Sequence, residues 1–181
     1  MAERPVRIGV VKVGNIGSSV LLDILLDERA DRQDIAIRVV GSGPKLDPEA
    51  VKEVVSKLLE FGPDIVIMAS PNAALPGPSA GRELLAEAGV PTIIISDAPG
   101  KRALKDIEAK GMGYIIVPAD SMIGARREFL DPTEMVIYNA DLLRVLACTG
   151  VFHAIVRAID KAIDDIKACL LYTSPSPRDR G

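Results

Sequence analysis

The chain has little of the side-chain chemistry that most catalytic and metal-binding sites need. Its 181 residues include no tryptophan, one histidine (His153) and two cysteines (Cys148 and Cys169). Most zinc chemistry and thiol catalysis are excluded, because they need clusters of such residues. Two isolated cysteines form no redox motif, which is typical of a reducing compartment. We therefore predict a cytoplasmic protein without a metal site.

Charge of one sign and long hydrophobic runs are also missing. The chain carries 22 basic and 25 acidic residues, a net charge of −3, and no basic stripe that would attract nucleic acid. No apolar run approaches the roughly 20 residues of a membrane span. The polar first residues lead into a short strand with glycines rather than into a signal peptide. We predict that the protein binds neither nucleic acid nor a membrane.

What is present is a repeat of apolar runs, each followed by a loop of small residues. The five runs cover residues 8–11, 35–40, 65–69, 92–95 and 114–117. Strand, loop, helix and strand in this rhythm predict an α/β fold, an open and mostly parallel sheet with helices on both faces. Ligands of such sheets bind outside the carboxyl ends of the strands, where all five loops meet.

Helices are predicted between the strands, where the apolar spacing changes to three or four residues. Asp47 followed by Pro48 is typical of a helix start. The predicted helices cover residues 19–30, 48–61, 79–88 and 101–110. The last three are each followed by a glycine, as expected at helix C-termini: Gly62, Gly89 and Gly111.

Beyond the fifth strand the alternation stops and a partial helical domain is predicted. Asp131 and Glu134 form a capping box around Pro132, and Thr149–Gly150 interrupts the helical pattern. The second half carries an apolar stripe that must pack against the sheet, a continuation of the chain or another subunit. The stripe consists of Phe152, Ile155, Ile159, Ile163 and Ile166.

We therefore divide the chain into a sheet domain (3–118), a connecting loop (119–130) and the start of a helical domain (131–168). Residues 169–181 (CLLYTSPSPRDRG) change abruptly in composition and resemble a translated sequencing adapter. The alternative is a native disordered tail rich in serine and proline. We predict a non-native tail, with the natural protein continuing past Ala168.

The first loop brings Gly14, Asn15 and Gly17 to the start of a helix. Backbone amides there can approach an anion closely, and the helix dipole favours a phosphate. The spacing lacks the full G-x-G-x-x-G fingerprint of dinucleotide-binding proteins. Phosphate binding and a simple tight turn both stay open as interpretations of this loop.

The second loop argues against ordinary NAD recognition. An NAD site usually has an acidic residue near the end of the second strand, which holds the ribose hydroxyls. Here that strand is followed by Gly41, Ser42 and Gly43, and the first carboxylate, Asp47, is assigned to a helix cap. The backbone amides of this loop and Lys45 are instead candidates for binding a phosphate or a carboxylate.

Candidate residues also follow the later strands. Ser70 and Asn72 open a stretch with three prolines, residues 70–78, which is either a stiff pocket wall or a rigid connector. Asp97 and Asp120 lie near strand ends and are better placed for function than acids on helix faces. The sequence contains no nucleophile–base set and no P-loop, so an enzyme of this kind would bind and orient a cofactor that performs the chemistry.

Six longer strings occur in the same order in one known family. They are IGVVK (8–12), GNIG (14–17), LDILLDERADR (22–32), RVVGSG (38–43), SDAPG (96–100) and IGARREFLDP (123–132). With them the chain resembles the coenzyme F420-dependent methylenetetrahydromethanopterin dehydrogenases of methanogenic archaea, from about Val6 to Ala168. Members of that family continue well beyond the end of this resemblance.

The resemblance implies reversible hydride transfer between the reduced deazaflavin coenzyme F420 and the methenyl cation of tetrahydromethanopterin. The product is the methylene derivative, an intermediate in the reduction of carbon dioxide to methane. Because a carbocation accepts hydride directly, catalysis would depend on holding two rings face to face. Asp97 and Asp120 could then stabilise the cation, while the glycine loops and Lys45 suit the anionic coenzyme tail.

Family members assemble into oligomers, including hexamers, so the resemblance also implies a homo-oligomer. The loops by themselves leave two other functions open. One is a non-catalytic module that binds a phosphorylated ligand with the same loops. The other is an NADP-linked reductase, because NADP sites often replace the acidic residue at the end of the second strand.

Overall fold

The computed structural model of the protein describes residues 4–27, 32–118 and 131–173. The elements in chain order are β1 (Val6–Lys12), α1 (Gly17–Asp27), β2 (Ile35–Gly41), α2 (Pro48–Leu59), β3 (Ile65–Ser70), α3 (Pro76–Glu87), β4 (Thr92–Ser96), a 3₁₀ helix (Ala98–Ala103), α4 (Leu104–Ala109), β5 (Gly113–Ile116), α5 (Pro132–Cys148) and α6 (Val151–Thr173). All five predicted strands are present, and each strand end lies within about two residues of its prediction, the ordinary uncertainty of element boundaries.

The five strands form one parallel sheet in the order β2-β1-β3-β4-β5. Lys12, at the end of β1, lies opposite Gly41 of β2 and Ala69 of β3. The chain leaves β1 towards β2 on one side and then crosses to β3 on the other. The crevice between β1 and β3 is thus the switch point at which open sheets bind ligands.

Helices cover both faces of the sheet, which confirms the predicted fold class. Alternate residues of each strand point to opposite faces, as the pleat requires. Ile8 and Val10 belong to a core formed with α1, α5 and α6, whereas Val11 belongs to a second core formed with α2, α3 and α4. The inner strands β1, β3 and β4 are therefore mostly buried, as strands of parallel sheets usually are, whereas the edge strands β2 and β5 are partly exposed.

The apolar stripe of α6 packs against the sheet, which was one of its three predicted partners. Ile155, Ile159 and Ile163 are 2%, 0% and 1% exposed, and they share a core with residues of β1, β3 and β4. Phe152 and Ile166 are partly buried against the same core. The helical region is thus joined to the sheet by a continuous hydrophobic core.

The start of α5 and the break before α6 agree with the sequence. Asp131 Oδ1 accepts a hydrogen bond from Glu134 N (2.9 Å), and Glu134 Oε2 accepts one from Asp131 N (3.1 Å), which is the predicted capping box. The break falls at Thr149–Gly150, where Gly150 has a φ of 79°. Gly62, Gly89 and Gly111 also have positive φ after their helices, as predicted.

Three helix starts differ from the prediction, and two of the differences have a local reason. α1 begins at Gly17 rather than residue 19. α3 begins at Pro76 rather than Ser79, because a proline is tolerated in a first helical turn, whose N–H groups have no helical partner. The predicted helix 101–110 is divided into the 3₁₀ helix, capped by Asp97, and α4. The proline-rich loop after β3 is accordingly shorter than predicted.

α6 passes Ala168 and ends at Thr173, so the change in composition at Cys169 is not a helix end. The non-native origin of residues 169–181 remains a prediction, and 174–181 lie outside the described residues. The division into a sheet domain and a helical domain also remains a prediction. Its connecting loop, 119–130, lies outside the described residues too.

In the described part of the chain, no single helix is long and apolar enough to cross a membrane. α5 and α6 reach that length and composition only when taken as a pair, and the pair is bent by 70°.

An ionic contact joins α6 to the amino end of β2. Asp34 accepts hydrogen bonds from Arg32 (Nε to Oδ1, 2.9 Å) and from the Lys167 ammonium on α6. The hydrogen bond from Arg32, followed by that from Lys167, holds the pKa of the Asp34 carboxyl well below its ordinary value. Because the folded-state pKa is depressed, this contact stabilises the fold above the unfolded-state pKa of about 4 and is lost on acidification.

We expect acidification from pH 7 to pH 3 to lower the denaturant midpoint of unfolding less in Asp34→Asn than in the unsubstituted protein. The amide carries no charge to lose as the pH falls, so its part of the pH dependence disappears. Urea unfolding followed by circular dichroism at both pH values measures the difference. Asp165→Asn is the control, because Asp165 pairs with Lys161 inside α6. Equal acid sensitivity of Asp34→Asn and the unsubstituted protein would contradict this role for Asp34.

Candidate functional site

The loops after β1, β2, β3 and β4 meet at the carboxyl edge of the sheet. Gly14 N donates to Gly43 O (3.1 Å), and Ser42 N donates to Lys12 O (3.0 Å), so the first two loops are tied together. Val13 N donates to Ala69 O (2.9 Å), which ties the first loop to the end of β3. The structure thus brings four of the five predicted loops together at the edge that contains the switch point between β1 and β3, and residues 119–130 after β5 lie outside the described residues.

Gly14 lies where a side chain has no room. Its φ of 77° is in the left-handed region, and a Cβ there would lie 2.9 Å from Leu46 Cδ2 and 3.2 Å from Pro71 Cδ. Gly17 is the buried first residue of α1, and Asn15 between them is exposed. The first turn of α1 contains no acidic residue, and the dipole at a helix N-terminus favours an anion.

The loop after β2 forms a small closed turn beside Gly14. Ser42 Oγ donates to Lys45 O (2.6 Å), and Lys45 N donates to Ser42 O (3.3 Å). Gly43 has a φ of 61° and open space around it, Gly41 is exposed at the end of β2, and the Lys45 side chain is exposed. This turn, with the exposed Lys45, therefore lies beside the loop that leads into α1.

The loop after β3 carries Ser70 and Asn72. Ser70 is the last residue of β3, is 1% exposed and lies opposite Ser96 of β4. Asn72 is half-buried, and its Oδ1 accepts a hydrogen bond from Ala74 N (3.0 Å), which closes an Asx turn. This turn sets the course of the loop from β3 to α3, next to the proline that contacts Gly14.

Asp97 follows β4 and is only 8% exposed. Its Oδ1 accepts a hydrogen bond from Ala98 N (2.6 Å), and its carbonyl accepts one from Gly100 N (2.8 Å), so the residue caps the 3₁₀ helix. A carboxylate has acceptor capacity beyond one hydrogen bond. The cap therefore leaves a catalytic role for Asp97 as a prediction, while Asp120 lies outside the described residues.

Two basic residues at this edge were missed by sequence reasoning. Lys12 ends β1, and its Nζ lies 2.5 Å from Asp23 Oδ2 of α1, with both side chains half-buried. Its place directly before the first glycine loop is a signal that the sequence does contain. Arg82 of α3 is 2% exposed, and its Nη2 lies 2.8 Å from Asp106 Oδ2 of α4. No local pattern marks Arg82, because its partners are distant in the chain.

The acidic partner of Arg82 also binds a lysine. Asp106 accepts hydrogen bonds from the Lys110 ammonium and from Arg82, and Lys110 also lies 3.1 Å from Glu83 Oε1. The hydrogen bond from Lys110, together with that from Arg82, holds the pKa of the Asp106 carboxyl below its ordinary value despite its partial burial. Asp106 is therefore ionised at neutral pH and forms an ion pair with the buried Arg82 guanidinium.

The chemistry of this edge is that of binding rather than of bond cleavage by side chains. Backbone amides, Lys12 and Lys45 suit anionic groups of a ligand. In the ranges 4–27, 32–118 and 131–173, no group of three or more His, Cys, Asp or Glu side chains could hold a metal ion. The binding of a phosphorylated or carboxylated ligand at this edge stays a prediction.

Comparisons with known proteins identify relatives of this chain. The family of methylene-5,6,7,8-tetrahydromethanopterin dehydrogenase matches residues 6–175. The F420-dependent methylenetetrahydromethanopterin dehydrogenase of Archaeoglobus fulgidus is 60% identical over 163 residues, 90% of this chain and 59% of the relative. That of Methanocaldococcus jannaschii is 56% identical over the same shares.

A solved structure is similar over the same region. It is an F420-dependent methylene-tetrahydromethanopterin dehydrogenase in complex with methylene-tetrahydromethanopterin and coenzyme F420. Its TM-score is 0.84 at 49% identity, over 91% of this chain and 60% of the solved chain. The chain spans about three fifths of the length of these relatives. The match confirms the resemblance seen in the sequence, and the chain belongs to the methylene-5,6,7,8-tetrahydromethanopterin dehydrogenase family.

Proposed function

We propose that this chain provides the coenzyme-binding sheet of an enzyme that transfers a hydride reversibly between reduced coenzyme F420 and methenyl-tetrahydromethanopterin, giving methylene-tetrahydromethanopterin. The observation that carries the proposal is the similarity, at a TM-score of 0.84, to a relative in complex with both molecules. The four joined loops at the switch point support it independently, because this is where an open parallel sheet binds a ligand.

The anionic tail of coenzyme F420 fits the cradle formed by the first two loops. Gly14 allows the first loop to pack closely against the loops after β2 and β3, because any Cβ at this position would meet Leu46 and Pro71. The amides of Gly17 and Gly43 would bind phosphate or carboxylate oxygens, with Asn15 beside them. Lys45 adds a positive charge at the rim, and Lys12 adds one at the end of β1.

The chain's own part in the reaction would be to orient the two rings and keep water away. The coenzyme supplies the hydride when bound, and a methenyl cation needs no proton at the accepting carbon. Ser70 and Asn72 would shape the wall beside the rings. Asp97, buried at the end of β4, would place negative charge near the cation, and we propose the same role for Asp120.

We also propose that the whole protein is a cytoplasmic homo-oligomer, with a hexamer as the family precedent. Exposed apolar side chains on α1 and α5 support an association surface: Ile24, Val136, Ile137, Tyr138 and Val145 are 46–67% exposed. Exposed apolar surface of this kind is a candidate contact with another subunit.

Titration with oxidised coenzyme F420, followed by quenching of its fluorescence, tests the proposed function. Two proteins should be used, because the chain covers 59% of its relative. One is the chain as it stands. The other, the extended protein, continues after Ala168 with the matching remainder of the Archaeoglobus fulgidus relative. We expect saturable binding with a dissociation constant between about 1 µM and 1 mM, the range of ordinary Michaelis constants.

A matched pair of lysine variants locates the binding surface. Lys45→Gln should weaken binding about 10-fold, the effect of losing one hydrogen bond to a charged group. Lys57→Gln removes an exposed lysine of α2 that pairs with Glu60, and it should leave the affinity within about 2-fold. Failure of the extended protein to quench would contradict the proposed function. Quenching that NADP reverses would favour an NADP-linked reductase.

A further inference from the structure

One residue, Ala73, joins the loops after β3 and β4. Its N–H donates to Ser96 Oγ (3.0 Å), and its carbonyl accepts from Arg82 Nη1 (2.5 Å). Gly100 packs against the same two residues, because a Cβ at this position would lie 2.3 Å from Ser96 Oγ and 3.4 Å from Ala73 Cβ. Ala73 follows Asn72 and Ser96 precedes Asp97, so this junction relates two candidate site residues to each other.

Arg82 reaches this junction from α3 as a buried cation. Its side chain is 2% exposed, and its donors contact Ala73 in the loop after β3, Asp106 of α4 and Ser79 of its own helix. Nη1 binds the Ala73 carbonyl, while Nη2 and Nε lie 2.8 Å and 3.2 Å from Asp106 Oδ2. A guanidinium makes such contacts at once because its donors form a rigid fork, whereas a lysine has a single nitrogen.

Stability by itself is a weak reason for this arrangement. Burying a charge costs free energy, and a buried ion pair is often no more stabilising than apolar residues of similar volume. What a hydrophobic side chain at position 82 could not supply is a donor to the Ala73 carbonyl. The specific consequence of Arg82 is therefore the fixed orientation of the loop after β3.

We propose that Arg82 is a positioning residue for the coenzyme pocket, which holds Ala73 and so sets the place of Asn72 relative to Asp97. The inference rests on the proposed function, because the pocket it shapes is the one assigned above to coenzyme F420. Because its side chain is 2% exposed, Arg82 would act through Ala73 rather than by touching the coenzyme. Asp106 of α4 orients the guanidinium, and Lys110 binds the same carboxylate.

Coenzyme affinity and amide exchange in Arg82→Lys test the inference. The substitution keeps the charge but loses the fork, so we expect a dissociation constant about 10-fold higher, the effect of losing one hydrogen bond to a charged group. The Ala73 amide should exchange with deuterium about 10-fold faster, because local opening of the loop becomes easier. The dissociation constant and the exchange rate are both measured in variants of the extended protein, after circular dichroism has been used to check that each variant is folded.

Leu85→Ala is the matched control, because Leu85 lies on the same helix, is 0% exposed and belongs to the apolar core. Leu85→Ala destabilises the protein without removing a polar contact of the loop. As long as this variant is folded, its affinity for the coenzyme should stay within about 2-fold of that of the unsubstituted protein. Equal loss of affinity in both variants, or unchanged affinity and exchange in Arg82→Lys, overturns the inference.

Asp106→Asn serves where Arg82→Lys does not fold. It leaves the arginine and its bond to Ala73 but weakens the partner that orients the guanidinium, so a smaller rise in both quantities is expected. Unchanged affinity and exchange in that variant overturns the inference. If the unsubstituted extended protein does not bind coenzyme F420, the proposed function is overturned. The positioning role of Arg82 is then overturned as well, because it depends on that function.

Discussion

Gly14→Ala is expected to lower the free energy of unfolding by about 2 to 5 kcal/mol, as the sum of backbone strain and overpacking. Its φ of 77° is in the left-handed region, where a residue with a Cβ is strained. The new Cβ would also lie 2.9 Å from Leu46 Cδ2 and 3.2 Å from Pro71 Cδ, and the proline ring cannot turn away. Urea unfolding followed by circular dichroism measures the loss.

Gly89→Ala is the matched control for this result. Gly89 has a φ of 65°, but a Cβ there would meet nothing within 4 Å. It should therefore lose only the strain of a left-handed backbone, about 1 to 2 kcal/mol. The difference between the two variants isolates the contacts with Leu46 and Pro71. Equal losses would contradict the close approach of the three loops, whereas reduced coenzyme affinity in Gly14→Ala alone would link that approach to binding.

Ile159→Ala is expected to lower the free energy of unfolding by about 2 to 5 kcal/mol, because it opens a cavity in a core that is closely packed. Ile159 is 0% exposed and lies in the core shared by α6 and the sheet. Urea unfolding monitored by circular dichroism should show one cooperative transition that moves as a whole. The control is Arg157→Ala on the same helix, whose side chain is exposed and which should change stability by less than about 0.5 kcal/mol.

The form of the transition also tests the predicted division between residues 118 and 131. Two transitions, of which Ile159→Ala moves only one, would mean that the helical region unfolds as a domain of its own. A single transition would mean that the sheet and the helices form one cooperative unit. We expect the single transition, because Ile155 and Ile163 are buried in the same core as the strands.

Much of the fold was predictable because its signals are local. Strands such as Ile65–Ser70 are short apolar runs between turn residues, and Asp131 with Glu134 forms its capping box within four consecutive residues. The errors in the helix starts also have local causes. A first helical turn tolerates prolines, which moved the start of α3 to Pro76, and a 3₁₀ helix replaced the first turns predicted around Lys101.

The site was predictable in its place but not in its internal contacts. Parallel strands bring their following loops to one edge, so Gly14, Gly43 and Asn72 were expected near each other. The contact of Arg82 with Asp106 joins residues 24 positions apart, and that of Ala73 with Ser96 joins residues 23 positions apart. No periodicity or motif encodes such pairs, because they exist only once the helices have packed on the sheet.

The sequence by itself determined the strands, the helix caps, the edge at which the loops meet and the family. These depend on hydrophobic periodicity, on hydrogen bonds between near neighbours and on strings of residues read in order. The tertiary structure alone decided that α6 covers the sheet, that Gly14 lies against Leu46 and Pro71, and that Arg82 holds Ala73. The reason is physical: each of these contacts joins segments that are distant in the chain, and only close packing of the whole domain selects one partner among many.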